Sequence, residues 1–236
     1  MPPLSEPIFS APAADFSHVG TWIFDLDNTL YRADSGLFAQ IDARMTRYIV
    51  ERLHLGEAEA EALRRQYYRE FGATLGGLMT VHAIDPERFL AYVHDIDLSV
   101  IAPDAALIAA MERLPGRRLV FTNGCGDHAQ RVLERIGLAH AIDRVFDIRA
   151  MAFIPKPRPE AYDRMVEAEA IAPDHAVMFE DMAHNLKPAH ALGMTTVWLN
   201  NGSRWSHQGP GFSEAERGHI HHEIDDLADF LHAVRL

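Results

Sequence analysis

Cysteine is almost absent from this chain of 236 residues, in which Cys125 is the only one. No disulfide can therefore form within the chain, and nothing in its cysteine usage indicates an oxidising compartment. Long apolar runs are missing as well, because no stretch reaches the roughly 18 apolar residues that a transmembrane helix needs. The N-terminus lacks the basic start and apolar run of a signal peptide. We therefore expect a cytoplasmic protein with no membrane partner.

Basic residues are also few, since 22 Lys and Arg stand against 34 Asp and Glu, for a formal net charge of −12. This balance argues against a nucleic-acid polymer or an anionic membrane as the main partner. A small phosphorylated metabolite is still compatible, because the local charge of a site decides what it binds. Apolar residues make up 48% of the chain, enough for a large core. The expected assembly is a monomer or a homodimer.

Helical patterns dominate the segment that follows the first predicted strand. Between Leu30 and about Ala102, apolar residues recur at three- and four-residue spacing without a convincing strand pattern. We predict that Gly56 and Gly72 end the first two helices and that Gly76-Gly77 forms a tight loop. The predicted helices are Leu37–Leu53, Glu57–Phe71, Leu78–Ala83 and Pro86–His94. A helical block in this place indicates a cap inserted after the first strand.

Strands and helices alternate in the second half of the chain, which predicts an α/β fold with a Rossmann-like parallel sheet covered by helices on both faces. The predicted strands are Thr21–Asp25, Leu119–Phe121, Arg144–Ile148, Ala176–Phe179 and Thr195–Leu199. A Pro- and Ala-rich start precedes them. We therefore expect a flexible N-terminal segment (residues 1–17), an α/β core (18–31 and 103–236) and a helical cap (32–102).

Two acids follow the first buried strand directly. Apolar residues lead into Asp25 and Asp27, at the point where a parallel sheet opens onto its ligand crevice. Two close carboxylates repel each other unless a cation or a proton intervenes, and Mg²⁺ is a hard cation that takes oxygen ligands. The alternative is a helix-capping Asp beside an ordinary surface Asp.

Further polar residues follow the later strands. Thr122-Asn123-Gly124 ends one strand, Lys156 lies between prolines, and Glu180-Asp181 ends another strand. Each has an ordinary alternative: a turn, a solvated lysine and a helix cap. In an open α/β sheet, however, these ends meet at one crevice. Acids for a metal, a hydroxyl, backbone N–H groups and one lysine together suit a phosphoryl group.

Taken together, these stretches resemble the four motifs of haloacid-dehalogenase-like (HAD) phosphatases. The motifs are Asp25-Leu26-Asp27-Asn28-Thr29, Thr122-Asn123, Lys156, and Glu180-Asp181 with Asn185. The resemblance extends from Trp22 to about Leu199, and the helical block resembles the cap of one large branch. A narrower resemblance is to the pyrimidine 5′-nucleotidase branch, in Gly36-Leu37-Phe38, Gly72-Ala73-Thr74-Leu75, His94-Asp95-Ile96-Asp97 and Phe121-Thr122-Asn123-Gly124.

The resemblance implies catalysis through an aspartyl-phosphate. Asp25 would be the nucleophile, and Asp27 would protonate the leaving alkoxide and then deprotonate the hydrolytic water. Mg²⁺ would bind the carboxylates of Asp25 and Asp181 and the backbone carbonyl of Asp27.

The remaining motif residues would hold the phosphate and support the metal site. The resemblance implies that Thr122 and Lys156 bind phosphate, together with the loop amides of Asn123-Gly124. Glu180 would act behind the metal ligands. Asn185 would order the loop that carries Asp181.

These roles predict a Mg²⁺-dependent phosphomonoester hydrolase, with pyrimidine nucleoside 5′-monophosphates (UMP, CMP) as the expected substrates. Dehalogenases of the superfamily lack the metal and need no acid at the position of Asp27, whereas an alkoxide leaving group does. The alternatives are a phosphatase for a phosphosugar or phosphoglycolate, a phosphomutase, and a non-catalytic binder of phosphate esters.

The cap is expected to select the substrate. The candidates are the loops Ser35–Phe38 and Ala73–Leu78, and base stacking by Tyr67, Tyr68 or Phe71, although aromatics at helical spacing more often belong to a core. His219, His221 and His222 lack a metal-binding spacing, so a polar strand or loop is the expected context.

Overall fold

The computed structural model describes residues 14–202 and 217–236. In this part of the chain the strands are β1 (Thr21–Phe24), β2 (Arg117–Phe121), β3 (Arg144–Phe146), β4 (Ala176–Glu180), β5 (Thr195–Leu199) and β6 (His222–Ile224). They form one parallel sheet in the order β3-β2-β1-β4-β5-β6. The predicted Rossmann-like sheet is confirmed. Most of the predicted flexible start, and most of the loop after Asn200, lie outside the described residues.

Strand β1 lies at the centre of the sheet and all four of its residues are buried. Trp22 and Phe24 belong to the core on one face, and Ile23 belongs to the core on the other. Because helices cover both faces, the strand has no solvent side and its sequence is a continuous apolar run instead of an alternating one. The burial of β1 is therefore indicated by its apolar run and not by an alternation of polar and apolar residues.

The helices connect the strands and cover both faces, as predicted. They are α1 (Leu37–Leu53), α2 (Glu57–Phe71), α3 (Thr74–His82), α4 (Pro86–Val93), α5 (Ala105–Arg113), α6 (Gly126–Arg135), α7 (Pro159–Glu169), α8 (Leu186–Ala191) and α9 (Leu227–Ala233). Helices α7 and α8 pack on the face of Ile23, and α5, α6 and α9 pack on the face of Trp22. Within the described ranges, none is both long and apolar enough to cross a membrane.

Four of these helices, α1 to α4, lie in the segment 32–102 that we expect to be the cap. Helix α2 packs against α1 and α3, and α4 packs against α1. The division into core and cap stays a prediction. Helix α5 lies beyond this segment and was not predicted; its N-terminus is capped by the Asp104 carboxylate, which accepts hydrogen bonds from the N–H groups of Ala106 and Leu107.

The prediction that Gly56 ends the first helix is wrong. Helix α1 ends three residues earlier, where His54 adopts a left-handed conformation with φ of 56°. Gly56 is extended and begins α2 instead, and its N–H donates to the Glu59 carboxylate at 3.0 Å. Gly72 does end α2, as predicted.

The predicted tight loop at Gly76-Gly77 is also wrong, because both glycines lie within α3. A Cβ atom on Gly77 would lie 2.2 Å from Cγ of Tyr67 in α2. The glycine therefore permits close packing of two helices, which is a tertiary requirement and not a turn signal. Smaller differences are that β1 ends at Phe24 and β3 at Phe146, before the predicted Asp25 and Ile148.

We expect Gly77→Ala to lower the free energy of unfolding by about 2 kcal/mol, even though alanine is the better helix former by about 1 kcal/mol. The added methyl group would overlap the Tyr67 side chain. Gly76→Ala is the matched control, because its Cβ would meet Phe71 at 3.1 Å, which a small shift can relieve. Urea denaturation measures both variants, and equal stabilities would contradict the packing argument.

Candidate active site

The ends of three neighbouring strands meet at one edge of the sheet. Asp25 follows β1, Thr122 follows β2, and Glu180 ends β4 with Asp181 next to it. Lys156 reaches the same point from the loop after β3. The structure thus brings together predicted residues that are up to 156 positions apart in the sequence, counting from Asp25 to Asp181.

The Lys156 ammonium is the centre of this arrangement. Its Nζ donates to Asp25 Oδ1 at 2.7 Å, to Glu180 Oε2 at 2.7 Å and to the Phe121 carbonyl at 2.8 Å. All three donors of the ammonium are used, and its side chain is 1% exposed. Burial alone would lower the pKa of Lys156, but the charges of Asp25 and Glu180 outweigh it and raise the pKa above its usual range.

Asn123 fixes the backbone of Lys156. Its side-chain Oδ1 accepts from the Lys156 N–H at 2.8 Å, and its Nδ2 donates to the Lys156 carbonyl at 3.1 Å. The side-chain amide of Asn123 therefore orients Lys156. The predicted contact of Asn123 with phosphate would be made by its backbone N–H group. Thr122 Oγ1 accepts from the Gly124 N–H at 2.9 Å, which leaves the hydroxyl proton available for a ligand oxygen.

Three buried acids form a group that suits a cation. Oxygen atoms of Asp25, Glu180 and Asp181 lie within 4.8 Å of one another. Asp181 Oδ2 and Asn185 Oδ1 are buried without a hydrogen-bond partner in the described chain. Burial and the charge of Glu180 raise the pKa of Asp25 to about 7, and the same two causes raise that of Asp181 well above its usual range.

One ammonium cannot balance three acids, so the group fits a hard divalent cation with oxygen ligands. The group contains both carboxylates that were predicted as ligands, Asp25 and Asp181. The Asp27 side chain points to other partners, which is compatible with its predicted contribution, a backbone carbonyl. Glu180, predicted to act behind the ligands, lies within the acidic group and is bound to Lys156.

Asp27 is held by two residues that the sequence did not single out. Its Oδ1 accepts from the Tyr31 hydroxyl at 2.7 Å and lies 3.0 Å from Nε2 of His128. Burial opposes the ionisation of Asp27, but the charge and hydrogen bond of His128 and the Tyr31 bond hold its pKa below the usual range. Tyr31 lies four residues after Asp27, so its contact with Asp27 could have been predicted from the sequence, whereas His128 lies 101 positions away.

A cavity of about 360 Å³ opens above the acids, between the sheet edge and α1, α2 and α4. Apolar and aromatic side chains make up much of its walls: Phe38, Ile41, Met45, Tyr68, Leu75, Phe89, Leu90, Val93 and Phe153. The charged residues Asp42, Arg64, Arg65 and Arg69 line it as well. Of the three aromatics considered for base stacking, Tyr68 lines the cavity, with its hydroxyl 3.1 Å from Nε2 of His184. Tyr67 is buried and lies with its hydroxyl 2.7 Å from His82, so it belongs to the helix packing.

The C-terminal histidines have structural partners. His219 Nε2 lies 2.9 Å from the Ala183 carbonyl, and His221 Nδ1 lies 2.8 Å from Thr196 Oγ1. His222 begins the short strand β6. Among the described residues, the acids Asp25, Glu180 and Asp181 are the one group with metal-binding geometry, and these histidines are not part of it.

Known proteins resemble this chain in sequence and in fold. The sequence profile of haloacid dehalogenase-like hydrolases matches residues 19–193. The chain belongs to this family. Phosphate metabolism protein 8 of Saccharomyces cerevisiae is 27% identical over 194 residues, which cover 75% of this chain and 60% of the yeast protein. The HAD-like hydrolase described here thus spans about 60% of the length of that relative.

Solved structures of the family share the fold. A HAD phosphatase from Thermococcus onnurineus is 18% identical with a TM-score of 0.60, covering 92% of this chain and 100% of its own. The L-2-haloacid dehalogenase from Xanthobacter autotrophicus is 15% identical with a TM-score of 0.58, covering 91% of this chain and 97% of its own. Because the same fold carries both chemistries, the reaction of this HAD-like hydrolase must be argued from its residues.

We expect Lys156→Met to lower the free energy of unfolding by about 3–5 kcal/mol in the presence of a chelator, because the buried carboxylates of Asp25 and Glu180 lose their ammonium partner. Arg47→Met is the matched control, since Arg47 pairs with Glu51 on an exposed helix surface with its side chain 74% exposed. This control should change stability little. Denaturant titrations compare the two variants, and similar losses would count against the central role of Lys156.

Proposed function

We propose that this HAD-like hydrolase is a Mg²⁺-dependent phosphomonoester hydrolase with Asp25 as its nucleophile. The observation that carries the proposal is the convergence of Asp25, Lys156 and the acidic pair Glu180-Asp181 on one point at the base of a cavity. Such a point combines a carboxylate nucleophile with positive charge for phosphoryl oxygens. Small phosphorylated metabolites are the proposed ligands, and a cytoplasmic location is proposed on the basis of the single cysteine.

The proposed reaction has two steps. Asp25 attacks phosphorus in line, the bond from phosphorus to the ester oxygen breaks, and Asp27 gives its proton to the departing oxygen. Water then attacks the aspartyl-phosphate while Asp27 takes a proton from it, which restores Asp25 and releases phosphate. Lys156 orients Asp25 throughout and balances its charge, and the Thr122 hydroxyl donates to a phosphate oxygen.

The acidic group is the proposed seat of Mg²⁺. Asp25 and Asp181 would supply carboxylate oxygens, and Asp27 would supply its backbone carbonyl. When bound, the ion would neutralise charge on the phosphoryl oxygens. The unpartnered Asp181 Oδ2 supports this assignment, because a buried carboxylate oxygen without a donor is otherwise costly.

A phosphatase is favoured over a dehalogenase by the Asp27 carboxyl group. An alkoxide is a poor leaving group and needs a proton, whereas a halide does not. Asp27 lines the cavity, and its contacts with Tyr31 and His128 fix the position of its carboxyl group there.

Pyrimidine nucleoside 5′-monophosphates are the proposed substrates within this class. The resemblance to the nucleotidase branch supports them, and the apolar and aromatic cavity wall suits the flat face of a base. Tyr68 and Phe38 are the ring-bearing residues from the predicted selecting segments that line the cavity. A phosphosugar or phosphoglycolate is the competing proposal, and the charged side chains Asp42, Arg64 and Arg69, which also line the cavity, favour it.

Adding Mg²⁺ at about 100 times its dissociation constant is expected to raise the melting temperature by roughly 5–10 °C, because binding to the folded state contributes about 2.7 kcal/mol. Asp181→Asn should abolish this shift. Asp174→Asn, which removes an acid that is 79% exposed, should leave the shift intact. Scanning calorimetry with and without EDTA measures all three proteins, and a full shift in Asp181→Asn would place the ion elsewhere.

Asp25→Asn is expected to abolish hydrolysis of every ester in a panel of UMP, CMP, a hexose phosphate and phosphoglycolate, because the amide cannot form the covalent intermediate. For the unmodified chain, kcat/KM should be highest for UMP and CMP. Higher values for phosphoglycolate or the sugar would support the competing substrates. An isomerised sugar phosphate would indicate a mutase, and binding without turnover would indicate a non-catalytic binder.

A further inference from the structure

The two carboxylate oxygens of Asp27 have different surroundings. Oδ1 receives the Tyr31 hydroxyl at 2.7 Å and faces His128 Nε2 at 3.0 Å. Oδ2 lies 3.7 Å from the place that a Cβ atom would take on Gly124, in the loop after β2 that we assign to phosphate. No hydrogen bond from residues 14–202 or 217–236 reaches Oδ2. Oδ1 is therefore bound by Tyr31 and His128, whereas Oδ2 faces the phosphate loop.

His128 is the third residue of α6. Its side chain is fully buried, and its ring stacks on that of His94 with centroids 4.3 Å apart and planes at 9°. His94 is itself held, because its Nδ1 lies 3.2 Å from Cys125 Sγ. The His128 ring is packed against His94 with its Nε2 facing Asp27.

The second ring nitrogen of His128, Nδ1, makes burial of a histidine costly at this position. A carboxylate accepts hydrogen bonds, so Nε2 is assigned as the donor of this bond. Nδ1 is buried and has no hydrogen-bond partner within the described chain. An apolar side chain would fill the same space without leaving a polar atom unsatisfied. The bond from Nε2 to Asp27 is thus the one polar contact that favours a histidine here.

We propose that His128 is a positioning residue, which acts with Tyr31 to hold Asp27 Oδ1 and so makes Oδ2 the oxygen that transfers the proton. The inference rests on the proposed phosphatase function. In the first step the Oδ2–H bond breaks, and the proton joins the ester oxygen as that oxygen takes the electron pair of its bond to phosphorus. In the second step Oδ2 takes the proton of the attacking water. Both hydrogen bonds to Oδ1 are kept throughout.

The test uses two amide variants that differ in reach. His128→Gln can place an N–H group near the position of Nε2, whereas His128→Asn is one methylene shorter and cannot. The kcat/KM values are measured with p-nitrophenyl phosphate, whose leaving group needs little help from an acid, and with an unactivated alkyl phosphate. For His128→Asn we expect a loss of roughly 100-fold with the alkyl ester and only a few-fold loss with the aryl ester. His128→Gln should keep both activities within about fivefold of the unmodified chain.

A loss of equal size with both esters in His128→Asn, or no loss with either, would overturn the inference, because a merely structural role does not depend on the leaving group. If His128→Asn does not fold, Tyr31→Phe removes the other donor to Oδ1 and should show the same selectivity for the alkyl ester. Uniform loss in that variant would overturn the inference as well. An unmodified chain that hydrolyses neither ester would instead reject the proposed function.

Discussion

The ammonium of Lys156 joins the ends of three strands. Its acceptors are the carboxylate that follows β1, the last carbonyl of β2 and the last carboxylate of β4, which are neighbours in the sheet. Removal of any one acceptor would leave a buried charge with an incomplete set of partners. The Asn123 clamp, which acts on the lysine backbone, makes the loop after β2 part of the same assembly. The geometry of the acids therefore depends on the position of one cation.

Asp25 and Asp27 show how environment separates two chemically identical groups. They are two positions apart, but Asp25 lies among other acids and Asp27 lies among hydrogen-bond donors. Burial and Glu180 raise the pKa of Asp25 to about 7, whereas His128 and Tyr31 overcome burial and lower that of Asp27. Clustered carboxylates such as Asp25 are stabilised by a cation, whereas hydrogen-bond donors fix the orientation of the Asp27 carboxylate. This order is the reverse of what the two proposed roles need, because a nucleophile must be ionised and an acid must carry a proton, so bound Mg²⁺ and phosphate would have to change both pKa values.

Much of the sheet and the acidic edge could be predicted from local signals. Apolar runs that end in polar residues mark buried parallel strands, and the topology of such sheets brings those ends together. The errors arose where tertiary packing decides. Gly77 is needed because Tyr67 passes over α3, and His54 takes the left-handed turn that was assigned to Gly56. His128 gave no local signal, since its partner is 101 positions away and a buried histidine on a helix is compatible with ordinary packing.

The stacked rings of His94 and His128 join two parts of the molecule that the chain separates. His94 follows α4, one of the helices that wall the cavity, and His128 belongs to α6 on the sheet. Under the proposed function, displacement of α4 by a bulky leaving group would move the ring that stacks on His128, the partner of Asp27. Bulk at one end of the cavity and alignment of the acid at the other would then be mechanically linked.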